Sequence, residues 1–147
     1  MKNLVIIFLV FTVGCGNKSQ KCDKVDPKQV KQVIVDFLYS GNHSDFEKLR
    51  NITTQDFKMY GDDGEWNFNE LVQFIKDWPE PDRFNFDEFD YEIETDCNGA
   101  FVNYYYGPPG LVGDSDQIGN YNLHSAYIKR VGDELKINFI HSTTVKE

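Results

Sequence analysis

The chain has 147 residues, with 24 acidic against 15 basic side chains and a net charge of −9. That length suits a single domain large enough to bury a real core. The acidity argues against a nucleic-acid role, because phosphates repel an acidic surface, and against attraction to anionic lipid by charge alone.

Lys2 gives a basic start, and an apolar run over Leu4–Val13 leads to Gly14 and Cys15. A stable membrane span needs about 20 apolar residues, so this run suits a cleavable secretory leader instead. A cysteine directly after a small residue resembles the lipobox of bacterial lipoproteins, with Thr12 standing where leucine is usual. The resemblance implies cleavage before Cys15, lipidation of its thiol and a place in the bacterial cell envelope. Gly16, where an aspartate is associated with inner-membrane retention, implies the outer membrane in a double-membrane cell. The expected organisation is a leader over 1–14, a lipidated tether over 15–25 and one domain over 26–147. Loss of Lys2 takes the net charge to −10, so membrane attachment rests on the lipid. Cys22 and Cys97 then remain. They are either a disulfide, which an exported protein can keep, or two free thiols. No CxxC spacing points to a metal.

Asp26-Pro-Lys-Gln29 reads as a helix start, with Asp at the N-cap and Pro at the first helical position. Val30, Val33, Ile34, Phe37 and Leu38 follow at one-face spacing, and Gly41 stops the helix. Ser44–Glu47 and Asn67–Glu70 are two further capping boxes. The first opens a short helix through Leu49. The second opens a helix carrying Leu71, Phe74 and Ile75, which Pro79 and Pro81 end. Asp56–Tyr60 is a strand candidate before a Gly61–Gly64 turn.

The second half alternates with period two. Phe89–Thr95 and Ala100–Tyr106 are strands around an Asn98-Gly99 turn, and Asn120–Arg130 and Leu135–Ser142 pair around Gly132-Asp133. Between the hairpins lies a Gly/Pro-rich stretch, Gly107–Gly119, with Leu111 and Val112 at its centre. It is either a lid over a site or an irregular connection. Helices first and hairpins later indicate an α+β fold.

This order of elements resembles the nuclear transport factor 2-like (NTF2-like, SnoaL-like, cystatin-like) superfamily. Val33–Tyr39, Ile52–Tyr60, Glu70–Ile75 and above all Ala126–Thr143 ("AYIKRVGDELKINFIHST") carry the likeness. Leu135 stands where the superfamily usually has tryptophan. The resemblance implies a cone-shaped domain with three helices on a curved antiparallel sheet around a pocket. It leaves activity open, since one fold hosts many functions.

A regular hairpin closed by Gly132-Asp133 sets Ile128 opposite Ile137, Ala126 opposite Phe139 and His124 opposite His141, all facing inward. Such a histidine pair suits a general base or a proton shuttle, and it equally suits two hydrogen-bonded rim residues. Around Asn98-Gly99, Tyr91 would face Tyr106, Ile93 would face Tyr104, and Thr95 would face Val102. The expected ligand pocket is therefore Tyr91, Ile93, Tyr104, Tyr106, Ile128, Ile137 and Phe139, which could equally be plain core. The inner face should also take Phe37 and Phe74. Asp90, Glu92, Glu94 and Asp96 form a solvated strand face. Asp62/Asp63 and Asp114/Asp116 sit in turns, and Asp36 sits at a helix edge. Tyr121, Leu123, Tyr127 and Ile140, with Phe101 and Tyr105, make an outer face too apolar for water, which suggests a homodimer or cover by another segment or protein.

The leading reading is an envelope module that binds a small apolar ligand or a protein partner, with no cofactor and no metal. One alternative is a cofactor-independent isomerase, cyclase or dehydratase using His124 or His141. Another is an acidic immunity-type or inhibitory protein.

Overall fold

The computed structural model describes residues 22–62, 64–77, 84–107 and 121–145. The proposed leader, Cys15 and most of the 107–119 stretch, including Leu111, Val112, Asp114 and Asp116, lie outside the described residues, as do Asp63, Pro79 and Pro81. Helix α1 runs Pro27–Asn42, α2 Phe46–Asn51 and α3 Phe68–Asp77. The strands are β1 Thr53–Gly61, β2 Gly64–Asn67, β3 Tyr91–Thr95, β4 Gly99–Tyr106, β5 Tyr121–Val131 and β6 Glu134–Val145. A single 3-10 turn, Phe86–Glu88, precedes β3.

The caps explain where the helices start. Asp26 accepts from the Lys28 amide. Asn67 accepts from the Asn69 and Glu70 amides while Glu70 accepts from the Asn67 amide at 2.7 Å, a reciprocal capping box. The cap of α2 is Asp45, one residue later than the sequence suggests, and it accepts from the Lys48 amide. Ser44 instead takes a left-handed φ of 56° to turn the chain between α1 and α2.

Six strands form one curved sheet in the order β2-β1-β6-β5-β4-β3. It is mixed rather than wholly antiparallel, because β1 lies parallel to β6. Its inner face packs on the helices: Val30, Ile34, Phe37 and Leu38 of α1 share a core with Phe57, Val102, Ile128, Ile137 and Ile140. Phe74 is not in that core. It is 40% exposed and lies against Trp66 at 4.8 Å.

Both hairpins depart from their regular registers. In the first, the turn residues are Cys97-Asn98, and Tyr91 pairs with Tyr104, Ile93 with Val102 and Thr95 with Ala100. Asp96 accepts from the amides of Asn98 at 2.6 Å and Gly99 at 2.9 Å, the use expected of an aspartate opening a turn. A Cβ at Gly99 would lie 2.1 Å from the Ile128 carbonyl oxygen, so the glycine serves a close strand approach and not a left-handed turn. The register moves by two residues, and each side chain keeps its face.

The second hairpin carries a one-residue bulge at Asn138. Ile128 still opposes Ile137, but Tyr127 opposes Phe139 and Ala126 opposes Ile140. Phe139 is thereby moved to the outer face and Ile140 to the core, where it is 1% exposed. The Asn138 amide donates to Thr54 Oγ1 at 3.1 Å and Asp56 Oδ1 at 3.3 Å. The same region of β1 is irregular, since Thr53 opposes Ile137 and Lys58 opposes Phe139. The extra residues of the two strands thus satisfy each other.

Candidate functional site

The bulge decides what the histidines can do. His124 opposes Ser142, and His141 opposes Ser125. Successive strand residues point to opposite faces, so His124 lies on the inner face and His141 on the outer. The expected imidazole pair is not formed. His141 is exposed, with Thr143 Oγ1 3.3 Å from Nε2.

His124 has a different pair. Its Nδ1 lies 3.0 Å from the Tyr104 hydroxyl. In one tautomer the phenol donates to the imidazole, and in the other the ring N–H donates to the phenol oxygen. Tyr104 is 1% exposed and His124 is 7% exposed. The Tyr106 ring stacks on His124 at 5.2 Å, and Tyr104 meets it edge-on at 5.0 Å. Tyr106 in turn stacks on Phe86 and meets Phe84 and Phe89 edge-on.

The stretch Phe84–Tyr91, with four aromatic residues in eight positions, supplies the rest of this cluster. Sequence reasoning read Phe89 only as strand and passed over Phe84 and Phe86. The density of aromatic residues was the available signal. Contacts with α1 hold the stretch in place: the Tyr39 hydroxyl bonds to Asn85 and Asp87 carboxyl or amide oxygens, and the Lys31 ammonium donates to the Asp87 carbonyl. The Tyr91 hydroxyl donates to the Phe86 carbonyl at 2.7 Å.

Burial sets the charge of the site. It lowers the His124 pKa to about 4, with a smaller push from His141, and it raises the Tyr104 pKa well above its ordinary value. Both groups are neutral at pH 7. The unfolded imidazole takes up a proton near 6.5 and the folded one only near 4. Between those values the unfolded chain binds more protons, so stability falls as pH drops through that window. A loss of up to about 3 kcal/mol is expected by pH 4. Urea titrations at several pH values check this, and His124→Gln should flatten the dependence between pH 6.5 and 4.

The other expected pocket residues divide. Ile128 and Ile137 are fully buried core, while Tyr91, Ile93 and Tyr106 are partly buried. Phe139 leaves the set because the bulge turns it outward. An open surface groove of about 330 Å³ lies instead between the start of α1 and β3, lined by Pro27, Lys28, Lys31, Phe89, Asp90, Tyr91 and Ile93. Asp90, Glu92 and Glu94 are exposed. Among the described residues no group of three His, Cys, Asp or Glu could hold a metal ion. Cys22 and Cys97 are joined as a disulfide, with Cα atoms 5.7 Å apart.

The outer face carries an aromatic row across four strands. Phe101 meets Tyr127 at 4.9 Å, Tyr127 meets Phe139 at 6.3 Å, and Phe139 meets Tyr60 at 6.3 Å. Phe101, Tyr105 and Tyr60 are 54%, 44% and 40% exposed.

A helix-covered, curved mixed sheet defines a class of small α+β domains that solved structures also represent. No family model matches the chain, and no curated protein does. A protein of unknown function with a cystatin-like fold from Nostoc punctiforme matches with a TM-score of 0.60 at 12% identity, over 83% of this chain and 92% of the other. A candidate dehydratase of the NTF2-like family from Streptomyces avermitilis gives 0.62 at 16%, over 82% and 97%. A ketosteroid isomerase-like protein from Erwinia carotovora gives 0.55 at 12%, over 82% and 96%. The fold is the NTF2-like, cystatin-like fold.

Proposed function

We propose that the chain is a lipid-anchored protein of the bacterial cell envelope whose NTF2-like domain is a binding module rather than an enzyme. The observation that carries this reading is the separation of the two histidines across the sheet. His124 is left without a second base and is tied to Tyr104 among aromatic rings. One neutral hydrogen-bonding pair in an aromatic wall suits an apolar molecule carrying a single polar group.

Native mass spectrometry of the protein taken from its host membrane tests this. A retained small molecule that His124→Gln still binds supports the module. No retained mass, together with no ligand-induced shift in the aromatic cluster, would sink it. The anchor is tested separately: Cys15→Ser should move the protein from the membrane to the soluble fraction.

The neutral state of His124 at pH 7 favours a second reading, an isomerase or dehydratase with His124 as base, in line with what two structural neighbours are called. In that case His124→Gln would lower turnover by about 100-fold or more.

The outer face is proposed to meet a second copy of the chain. The central stretch of this face, Phe101, Asn103, Tyr105, Leu123, Ser125, Tyr127, Phe139, His141 and Thr143, includes no carboxylate, while Glu92 and Glu94 of β3 border it beside Asn103 and Phe101. An acidic protein approaches its own copy most easily where it carries no negative charge.

A further inference from the structure

Residues 22–25 are fastened to one end of the sheet. Cys22 is bonded to Cys97, the Val25 amide donates to the Asp96 carbonyl at 2.9 Å, and the Val25 side chain is 2% exposed in the core. The Arg130 guanidinium donates to the Asp23 carbonyl at 3.5 Å, and the Arg130 amide donates to the Asn98 carbonyl at 2.7 Å. All these partners belong to the β3–β4 turn or to β5 next to the Gly132 turn.

We infer that the Cys22–Cys97 bond is a clasp that sets the length of the membrane tether and holds the two hairpin turns near the bilayer. This rests on the lipid-anchor reading above. Seven residue steps separate Cys15 from Cys22, a reach of at most about 25 Å at ~3.6 Å per residue. Twelve steps separate Cys15 from Pro27, or about 43 Å when residues 22–25 are released. The partner surface is therefore the lipid headgroup layer, and the part of the domain that addresses it is the Cys97 and Gly132 end. The aromatic cluster at Tyr106 lies at the other end of β4, about 23 Å away along the strand. A ligand arriving from the aqueous side reaches that end first.

Energy transfer in the lipidated full chain on phosphatidylethanolamine–phosphatidylglycerol vesicles tests the clasp. A donor is attached at the exposed turn through Asp133→azidophenylalanine, and the acceptor sits on the headgroups. The wild type should show strong transfer. Cys22→Ser/Cys97→Ser should show weaker transfer and at least ten-fold faster hydrogen exchange at the Val25 amide, with Ile34 still protected. A five-residue Gly/Ser insertion after Asn17 keeps the bond, so it should weaken transfer while Val25 stays protected, and it decides the matter should the serine variant fail to fold. Unchanged transfer in the insertion variant, or unchanged Val25 exchange in a folded serine variant, overturns the clasp. A wild type that does not bind vesicles overturns the anchor and with it the membrane-facing role, while Val25 exchange still reports the fastening itself.

Discussion

Ile140→Asp is expected to unfold the domain, whereas Phe139→Asp beside it should cost only about 1 kcal/mol. A regular hairpin gives the opposite expectation. The bulge at Asn138 places Ile140 against Ala126 and Met59, at 1% exposure in the core. An unpaired carboxylate there costs several kcal/mol, a large share of the 5–15 kcal/mol typical of a domain. Phe139 touches Tyr60 and Tyr127 on the outer face, where a carboxylate stays hydrated and only ring contacts are lost. Urea denaturation followed by circular dichroism separates the two. A folded Ile140→Asp variant alongside an unfolded Phe139→Asp variant would restore the regular register.

Removing the disulfide has the next largest effect. The bond joins residues 75 positions apart, and closing a loop that long takes much freedom from the unfolded chain. Cys22→Ser/Cys97→Ser should lower unfolding free energy by about 4 kcal/mol. The change should be largest in unfolding experiments on oxidised against reduced protein, and the serine variant should show no further response to reductant. A loss below about 1 kcal/mol would mean that Val25 and Arg130 already hold the segment in place.

The starts of α1 and α3 and the position of both hairpins were legible because their signals are local. Asn67 and Glu70 cap each other within four residues, and Pro27 follows its N-cap directly. The β3–β4 faces were legible even though the register was not. The Asn98-Gly99 pair masked the turn that Asp96 opens, but the two-residue error preserved parity. The bulge could not be read in the same way. In Ile137-Asn-Phe-Ile140 both Phe139 and Ile140 are apolar, so the alternation fits either phase. What selects the phase is distant: Thr54 and Asp56 of β1 accept from Asn138. The site followed that error. With Phe139 and His141 turned outward, its polar element is the Tyr104–His124 pair, which spans adjacent strands and has no signature along the chain.

The parallel pairing of β1 with β6 joins Thr53 to Ile137 and Tyr60 to His141. Strand β1 therefore has its partner on that edge only once residues 137–141 are present. Contacts of such long sequence separation form late and slowly. On the proposed export route, β1 would wait with one open edge until residues 137–141 had crossed the membrane, a period of exposure to aggregation that periplasm-type chaperones exist to cover. A nascent chain stalled before Ile137 should remain protease-sensitive throughout residues 53–67, however complete its α1 helix.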